Sequence, residues 1–232
     1  MALITLIHGD DTAASRRILS EQKALHPDTE IITLTGVGLA LPQLVLACET
    51  KSLLSEKKLI IIENLFKGGV KLKAPLIQYI TLGGCGYPVI VWEDRKLETV
   101  TLKKNFPKAQ VIAGNFPPIL FSFLYSLGSL PPSELLARFH ACLREKEATL
   151  VHAMIVRQIR LLIIAKDGGP VALSHLGVAS WQGDKFVKQA QAWSMEKLVE
   201  KYRQLIGLEH LLKSGQTPYT LAFLLDFWLV TP

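Results

Sequence analysis

The sequence predicts an open, mostly parallel α/β sheet followed by an all-helical part. Three observations lead there. The first half carries five apolar runs of strand length, segments with helical spacing lie between them, and the short apolar runs vanish after Gly114-Asn115-Phe116-Pro117-Pro118. That Pro- and Gly-bearing stretch divides the chain into an expected domain 1–116 and an expected domain 117–232.

The strands are expected at Leu3–Ile7, Glu30–Leu34, Leu59–Ile62, Val89–Trp92 and Gln110–Ile112. Runs this apolar need cover on both faces, as in a parallel sheet. The crossover helices are Ala13–Leu25, with Asp10 or Asp11 as cap, then Leu41–Thr50, Ala74–Ile80 and about Leu97–Lys104. Beyond the boundary, helices are expected at Ile119–Leu127, Pro132–Lys146, Ala148–Lys166, Val171–Leu176, Trp181–Gln191, Met195–Lys213 and Pro218–Leu229. Asp167-Gly168-Gly169-Pro170 supplies a stop, Ser194 a cap, and Thr217-Pro218 a cap with a first-turn proline.

At 232 residues, 49% of them apolar, the chain has material for two cores and for a partner surface. The most apolar helix, from Ala148 to Ala165, is interrupted by His152, Arg157, Gln158 and Arg160, which makes a membrane span costly. The N-terminus lacks a basic leader region, so a strand is expected there. Cys48, Cys85 and Cys142 fit no Cys-x-x-Cys spacing and leave one thiol over in any pairing, which suits a reducing cytoplasm. The net charge of +6 is evenly spread, 14 basic against 11 acidic residues before Pro117 and 12 against 9 from there on. Such a mild excess is compatible with nucleic acid contact without requiring it.

A ligand of an open α/β sheet binds at the carboxyl ends of the strands, beginning with the loop after strand one. Here that loop reads Gly9-Asp10-Asp11-Thr12-Ala13-Ala14-Ser15. A phosphate loop needs several glycines, a lysine and a hydroxyl; this one has a single glycine, no lysine and two carboxylates that repel an anion. Glu63 closes the third strand as an exposed strand-end carboxylate with no phosphate loop to serve. His8, His26, His140, His152, His175 and His210 show no metal-ligand spacing, and His140 and Cys142, two apart, point to different sides of a helix. No Gly-x-Ser-x-Gly elbow occurs. No catalytic residue, metal or cofactor is therefore expected, and the chain reads as one that binds and moves a partner.

Three stretches together resemble the delta subunit of bacterial DNA polymerase III, the clamp-loader subunit that opens the sliding clamp. They are Ile4-Thr5-Leu6-Ile7-His8-Gly9-Asp10-Asp11; Ser52-Leu53-Leu54-Ser55-Glu56-Lys57-Lys58-Leu59-Ile60-Ile61-Ile62-Glu63-Asn64; and the helical part with Arg157-Gln158-Ile159-Arg160-Leu161-Leu162, Phe186-Val187-Lys188-Gln189-Ala190, Leu211-Leu212-Lys213-Ser214-Gly215 and Asp226. The resemblance implies an AAA+/RecA-like parallel-sheet domain without a functional phosphate loop, followed by a helical collar domain that joins ATPase and stator subunits. It also implies clamp binding through Leu53 and Leu54, a small apolar wedge beside Glu56, Lys57 and Lys58. DNA would pass through the complex near Lys103, Lys104 and Lys108, and no membrane is involved.

Two departures stand out. The family's lid domain, between sheet and collar, has no room between Ile112 and Ile119, and the second wedge residue is Leu54 where the family often has phenylalanine. The alternative is a DNA-binding regulator whose helix-turn-helix-like segment is Val171–Gln191, but that segment offers only Lys185 and Lys188 beside apolar Phe186 and Val187.

Overall fold

The structure, a computed structural model, describes residues 4–50, 57–67, 69 and 73–231. Its chain divides into two units, Met1–Phe116 and Pro117–Pro232.

In the first unit the five strands are β1 (Ile4–His8), β2 (Glu30–Thr35), β3 (Lys58–Glu63), β4 (Val89–Trp92) and β5 (Gln110–Ala113). They form one all-parallel sheet in the order β2-β3-β4-β1-β5, so the α/β expectation holds. Side chains alternate across it, as strand geometry requires. Leu6, Ile60, Ile62, Val89 and Val91 pack on one face against Leu44 and Cys48 of α2 (Leu41–Glu49), Leu76, Ile77 and Ile80 of α3 (Ala74–Thr81) and Leu102 of α4 (Thr99–Asn105). Ile7, Leu59, Ile61, Ile90 and Trp92 pack on the other face, against Leu19 of α1 (Thr12–Ala24). This double cover is why the inner strands read as unbroken apolar runs. Edge strand β2 alternates half-buried with exposed residues instead.

The second unit is helical throughout its described residues: α5 (Pro118–Ser126), α6 (Pro132–Leu143), α7 (Ala148–His175), α8 (Ser180–Ala190), α9 (Met195–Lys213) and α10 (Leu221–Val230). Helix α7 is long and apolar enough to cross a membrane by length and composition. It packs against α8 and α9, burying Val151, Ile155, Ile159 and Leu162. Helix α6 packs against α5 and α10, and Phe123 meets Phe139 at 5.8 Å between ring centres. Three buried polar groups bind the helices together. Gln158 donates to the Gln189 side-chain oxygen (2.7 Å), Gln189 donates to the Leu124 and Leu127 carbonyls (2.8 and 3.0 Å), and the Lys201 ammonium donates to the Trp228 carbonyl (3.0 Å).

Two expected boundaries move. The break at Gly168-Gly169-Pro170 is a kink inside α7, where Gly169 alone leaves helical geometry at φ 63° and ψ −157°, so the expected Val171–Leu176 helix continues α7. Helix α10 begins at Leu221, with Thr220 accepting the Phe223 N–H, whereas Thr217 takes the Tyr219 N–H in a local turn. The chain passes from β5 to α5 over four residues, Gly114 to Pro117.

Candidate functional site

The carboxyl ends of the strands are stitched together by the chain's own groups. At the start of α1, the Asp11 carboxylate accepts the Ala14 N–H (2.9 Å), the place an incoming phosphate oxygen would otherwise take. The Asp11 N–H donates to the Gly114 carbonyl (3.0 Å), and the Asp10 carboxylate accepts the Phe116 N–H (2.8 Å). The segment after β5 thus lies over the loop after β1. Gly9 permits this approach, since a Cβ there would sit 1.9 Å from the Gly114 oxygen.

One turn into α1, Arg16 makes a two-pronged contact with Glu63 (2.6 and 3.2 Å) at the end of β3. Its guanidinium lies 3.6 Å from the centre of the Trp92 ring, and the Trp92 indole N–H donates to the Ser15 hydroxyl (3.2 Å). Glu63 is therefore a half-buried, paired carboxylate, which corrects the exposed strand-end residue expected from sequence. Next to it Lys67 pairs with Asp94 (3.0 Å), and Asn64, in the left-handed region at φ 59°, accepts the Asp94 N–H (3.1 Å). Buried Glu93 accepts the Phe66 N–H (2.9 Å), and burial pushes its carboxyl up to about 7. His8, also buried, accepts the Leu97 N–H through Nδ1 (3.1 Å), and burial lowers its pKa. These contacts make the crevice a structural seam in which Asp10, Asp11, Glu63, Glu93 and Asp94 are each tied to a group of the chain itself.

Leu53 and Leu54 lie outside the described residues. Their flanks are described: α2 ends at Glu49 and β3 starts at Lys58, whose buried ammonium donates to the Ala47 carbonyl (3.4 Å) and to the Thr50 carbonyl. Lys58 thereby ties the start of β3 to the end of α2. Lys103 and Lys104 are exposed in the last turn of α4, where cations complement the helix dipole, and Lys108 is exposed just before β5.

Two surface features of the helical unit extend beyond the residues named from the sequence. On α8, Trp181 is 61% exposed, and the Lys185 ammonium stands 5.0 Å from its ring and 5.7 Å from the Tyr125 ring. A cleft of about 420 Å³ beside them is lined by Tyr125, Ser129, Lys185, Lys188, Gln189 and Ala192. The sequence carries the signal as Trp181 one turn before Lys185, followed by Lys188, the two lysines of the helix-turn-helix-like segment. Phe186 is buried, so the inner face of α8 is core. Just before α10, Tyr219 stacks on Phe223 of the helix at 4.8 Å, Phe227 follows at 5.6 Å, and all three are exposed beside a cleft of about 580 Å³.

No family model and no curated protein matches the chain. Among solved structures it is similar to a Bacillus subtilis DNA clamp loader delta protein, at 16% identity and a TM-score of 0.47 over 98% of this chain and 94% of that one. It is also similar to a DNA polymerase III gamma subunit-related protein of Thermotoga maritima, at 14% identity and a TM-score of 0.38 over 98% and 93%.

Proposed function

We propose that the chain is a clamp-loader subunit of the delta kind, which binds the sliding clamp of DNA polymerase III and favours its open form without turning over ATP itself. The observation that carries this reading is the Asp11 carboxylate on the Ala14 N–H. A sheet of the ATPase type has closed its own anion position, which leaves binding rather than hydrolysis as its work. The three sequence stretches that resemble the delta subunit run in the same order along this chain.

In this reading the segment between α2 and β3 presents Leu53 and Leu54 to the clamp. Burying each leucine is worth roughly 1.5–3 kcal/mol, enough for two adjacent side chains to act as a binding hot spot. A ligand that binds the open ring better than the closed one shifts the ring toward opening by its differential affinity. The exposed aromatic row of Tyr219, before α10, with Phe223 and Phe227 on it, supplies contact area for the ATPase and stator subunits of a collar. DNA meets Lys103, Lys104 and Lys108, and Trp181 with Lys185 and Lys188 offers a stacking surface edged by cations. All of this belongs in the cytoplasm, with the replication machinery.

The test is binding of the purified chain to the sliding clamp of the same organism, compared with a Leu53→Ala, Leu54→Ala double variant. Wild-type binding that weakens at least about tenfold in the variant supports the reading. Equal binding by both, or none by the wild type with its partner subunits present, overturns it.

A further inference from the structure

Strand β5 is an edge of the sheet, with β1 as its neighbour. In a parallel ladder the N–H and C=O of one residue turn to the same side, and successive residues alternate sides. The Gly114 N–H donates to the His8 carbonyl (2.7 Å), which sets the phase: Gln110 and Ile112 also turn toward β1, and Val111 and Ala113 turn away. The open side therefore presents the N–H and C=O of both residues, and none of these groups is hydrogen-bonded among the described residues. Gln110, Val111 and Ala113 are exposed, Val111 at 44%, so the edge lies open to solvent. An open edge of this kind is a template for one more strand.

Charge changes sign along this edge. Exposed Lys108 stands two residues before β5, and beyond its end the exposed Asp10 carboxylate accepts the Phe116 N–H. Helix α4 runs from exposed Glu98 at its N-cap to Lys103 and Lys104 in its last turn, with exposed Val100 between them. A DNA backbone meets such lysines but has no donor for the Val111 and Ala113 carbonyls. A strand of opposite direction, with its charges at opposite ends, satisfies both, and β5 of a second copy is such a strand.

We infer that β5 is a self-association edge, on which a second copy of this chain seats its own β5 antiparallel and joins the two sheets into one. With a two-fold axis through the pair of Ile112 residues, Val111 of each copy lies opposite Ala113 of the other. The two exchange N–H···O=C bonds, and every outward group of both strands is used. Lys108 of one copy falls beside Phe116 of the other, where the Asp10 carboxylate already stands. The same axis sets the two α4 helices antiparallel, so the lysines that end one lie toward the glutamate end of the other. Such opposite-charge pairs favour this direction over a parallel one, which would set like charges side by side. Four residues a side make a small contact, so the dimer is weak and concentration-dependent.

The test is sedimentation equilibrium of the full chain over the micromolar range, beside oxidative cross-linking of variants with one added cysteine. The unmodified chain should show a monomer–dimer equilibrium that weakens as salt is raised. Val111→Pro removes one outward N–H, leaves those that hold β1, and should weaken association at least about tenfold. Ile112→Cys sits on the axis in a non-hydrogen-bonded pair, whose spacing suits a disulfide. It should give a covalent dimer at least about tenfold faster than Ile31→Cys on the opposite edge, β2. The native cysteines are buried, so the unmodified chain should stay free of cross-links. A monomer at every concentration overturns the proposal, and so does equal cross-linking of the two variants or assembly into chains longer than a dimer. It is also overturned if the protein alone stays monomeric while an added extended peptide protects the Val111 and Ala113 amides from hydrogen exchange, which gives the edge to another partner.

Discussion

Gly9 and Gly114 touch backbone to backbone: a Cβ on Gly9 would lie 1.9 Å from the Gly114 carbonyl oxygen and 2.4 Å from its carbon. The contact also aims the Gly114 carbonyl at the Asp11 N–H, so one close approach holds the sealed crevice together. Nothing flexible stands on either side to give way.

Gly9→Ala should therefore cost about 2–3 kcal/mol of stability, because the backbone itself must move to admit one methyl group. Gly207→Ala is the opposite case, since that glycine is exposed within α9 with open space around it. It should stabilise by about 0.5–1 kcal/mol through helix propensity. Thermal denaturation of the two variants should give shifts of opposite sign.

Glu93 sets a pH dependence whose sign follows from its burial. Its carboxyl rises from an ordinary 4.5 to about 7 in the folded chain, so the folded state holds a proton that the unfolded state has released. Stability is then full below about pH 4.5 and falls as pH rises toward 7. Glu93→Gln keeps an acceptor for the Phe66 N–H and removes the charge. Urea denaturation across this window should show a flat profile for the variant, which should exceed the wild type by about 2–3 kcal/mol at pH 8. A wild-type profile that rises with pH would contradict the assignment.

Gln189→Leu should destabilise the helical unit by about 2–4 kcal/mol. The leucine fits an apolar interior, but the Leu124 and Leu127 carbonyls and the Gln158 amide lose their partner at once. The urea midpoint should fall with an unchanged slope. Pairing the change with Gln158→Leu should recover part of the loss, because one unsatisfied group disappears.

Trp181→Ala should weaken single-stranded DNA binding by about 1–3 kcal/mol, the usual worth of one stacked base. Lys185→Ala should instead lower the salt dependence of binding. Fluorescence anisotropy of a labelled oligonucleotide at two salt concentrations separates the two effects. Identical affinities in all three proteins would remove α8 from the proposed DNA contact.

The sheet was legible in the sequence because burial on both faces leaves few residue types for β1, β3 and β4. A cap at Asp10 or Asp11 was legible because the loop lacks a phosphate site, but the choice of Asp11 was not, since Asp10 is taken by the distant Phe116 N–H. The partner of Glu63 was not, since Arg16 lies 47 residues away and only the placing of α1 against the sheet brings them together. The start of α10 misled for a local reason. Thr217-Pro218 has the composition of a cap and first turn, yet Thr220 caps the helix one turn later. The exposure of Tyr219 and Trp181 was not legible, since spacing does not distinguish an inner from an outer helix face when apolar residues occupy both. The wedge, Leu53 and Leu54, was named from resemblance alone.

The place of β1 in the sheet bears on how the first unit comes into being. Ile4 to His8 are made before the other strands of the sheet, yet they pair with β4, which begins at Val89, and with β5, which begins at Gln110. On a ribosome this apolar strand has no neighbour until most of the unit has been synthesised, and β2 and β3 can pair with each other well before it. Such long-range closure is slow and leaves hydrophobic backbone waiting. The last segment to emerge, through Gly114 and Phe116, is also the one that latches onto Asp10 and Asp11. A nascent chain halted before residue 110 should remain protease-sensitive at its N-terminus, and one released past Phe116 should become resistant in a single step.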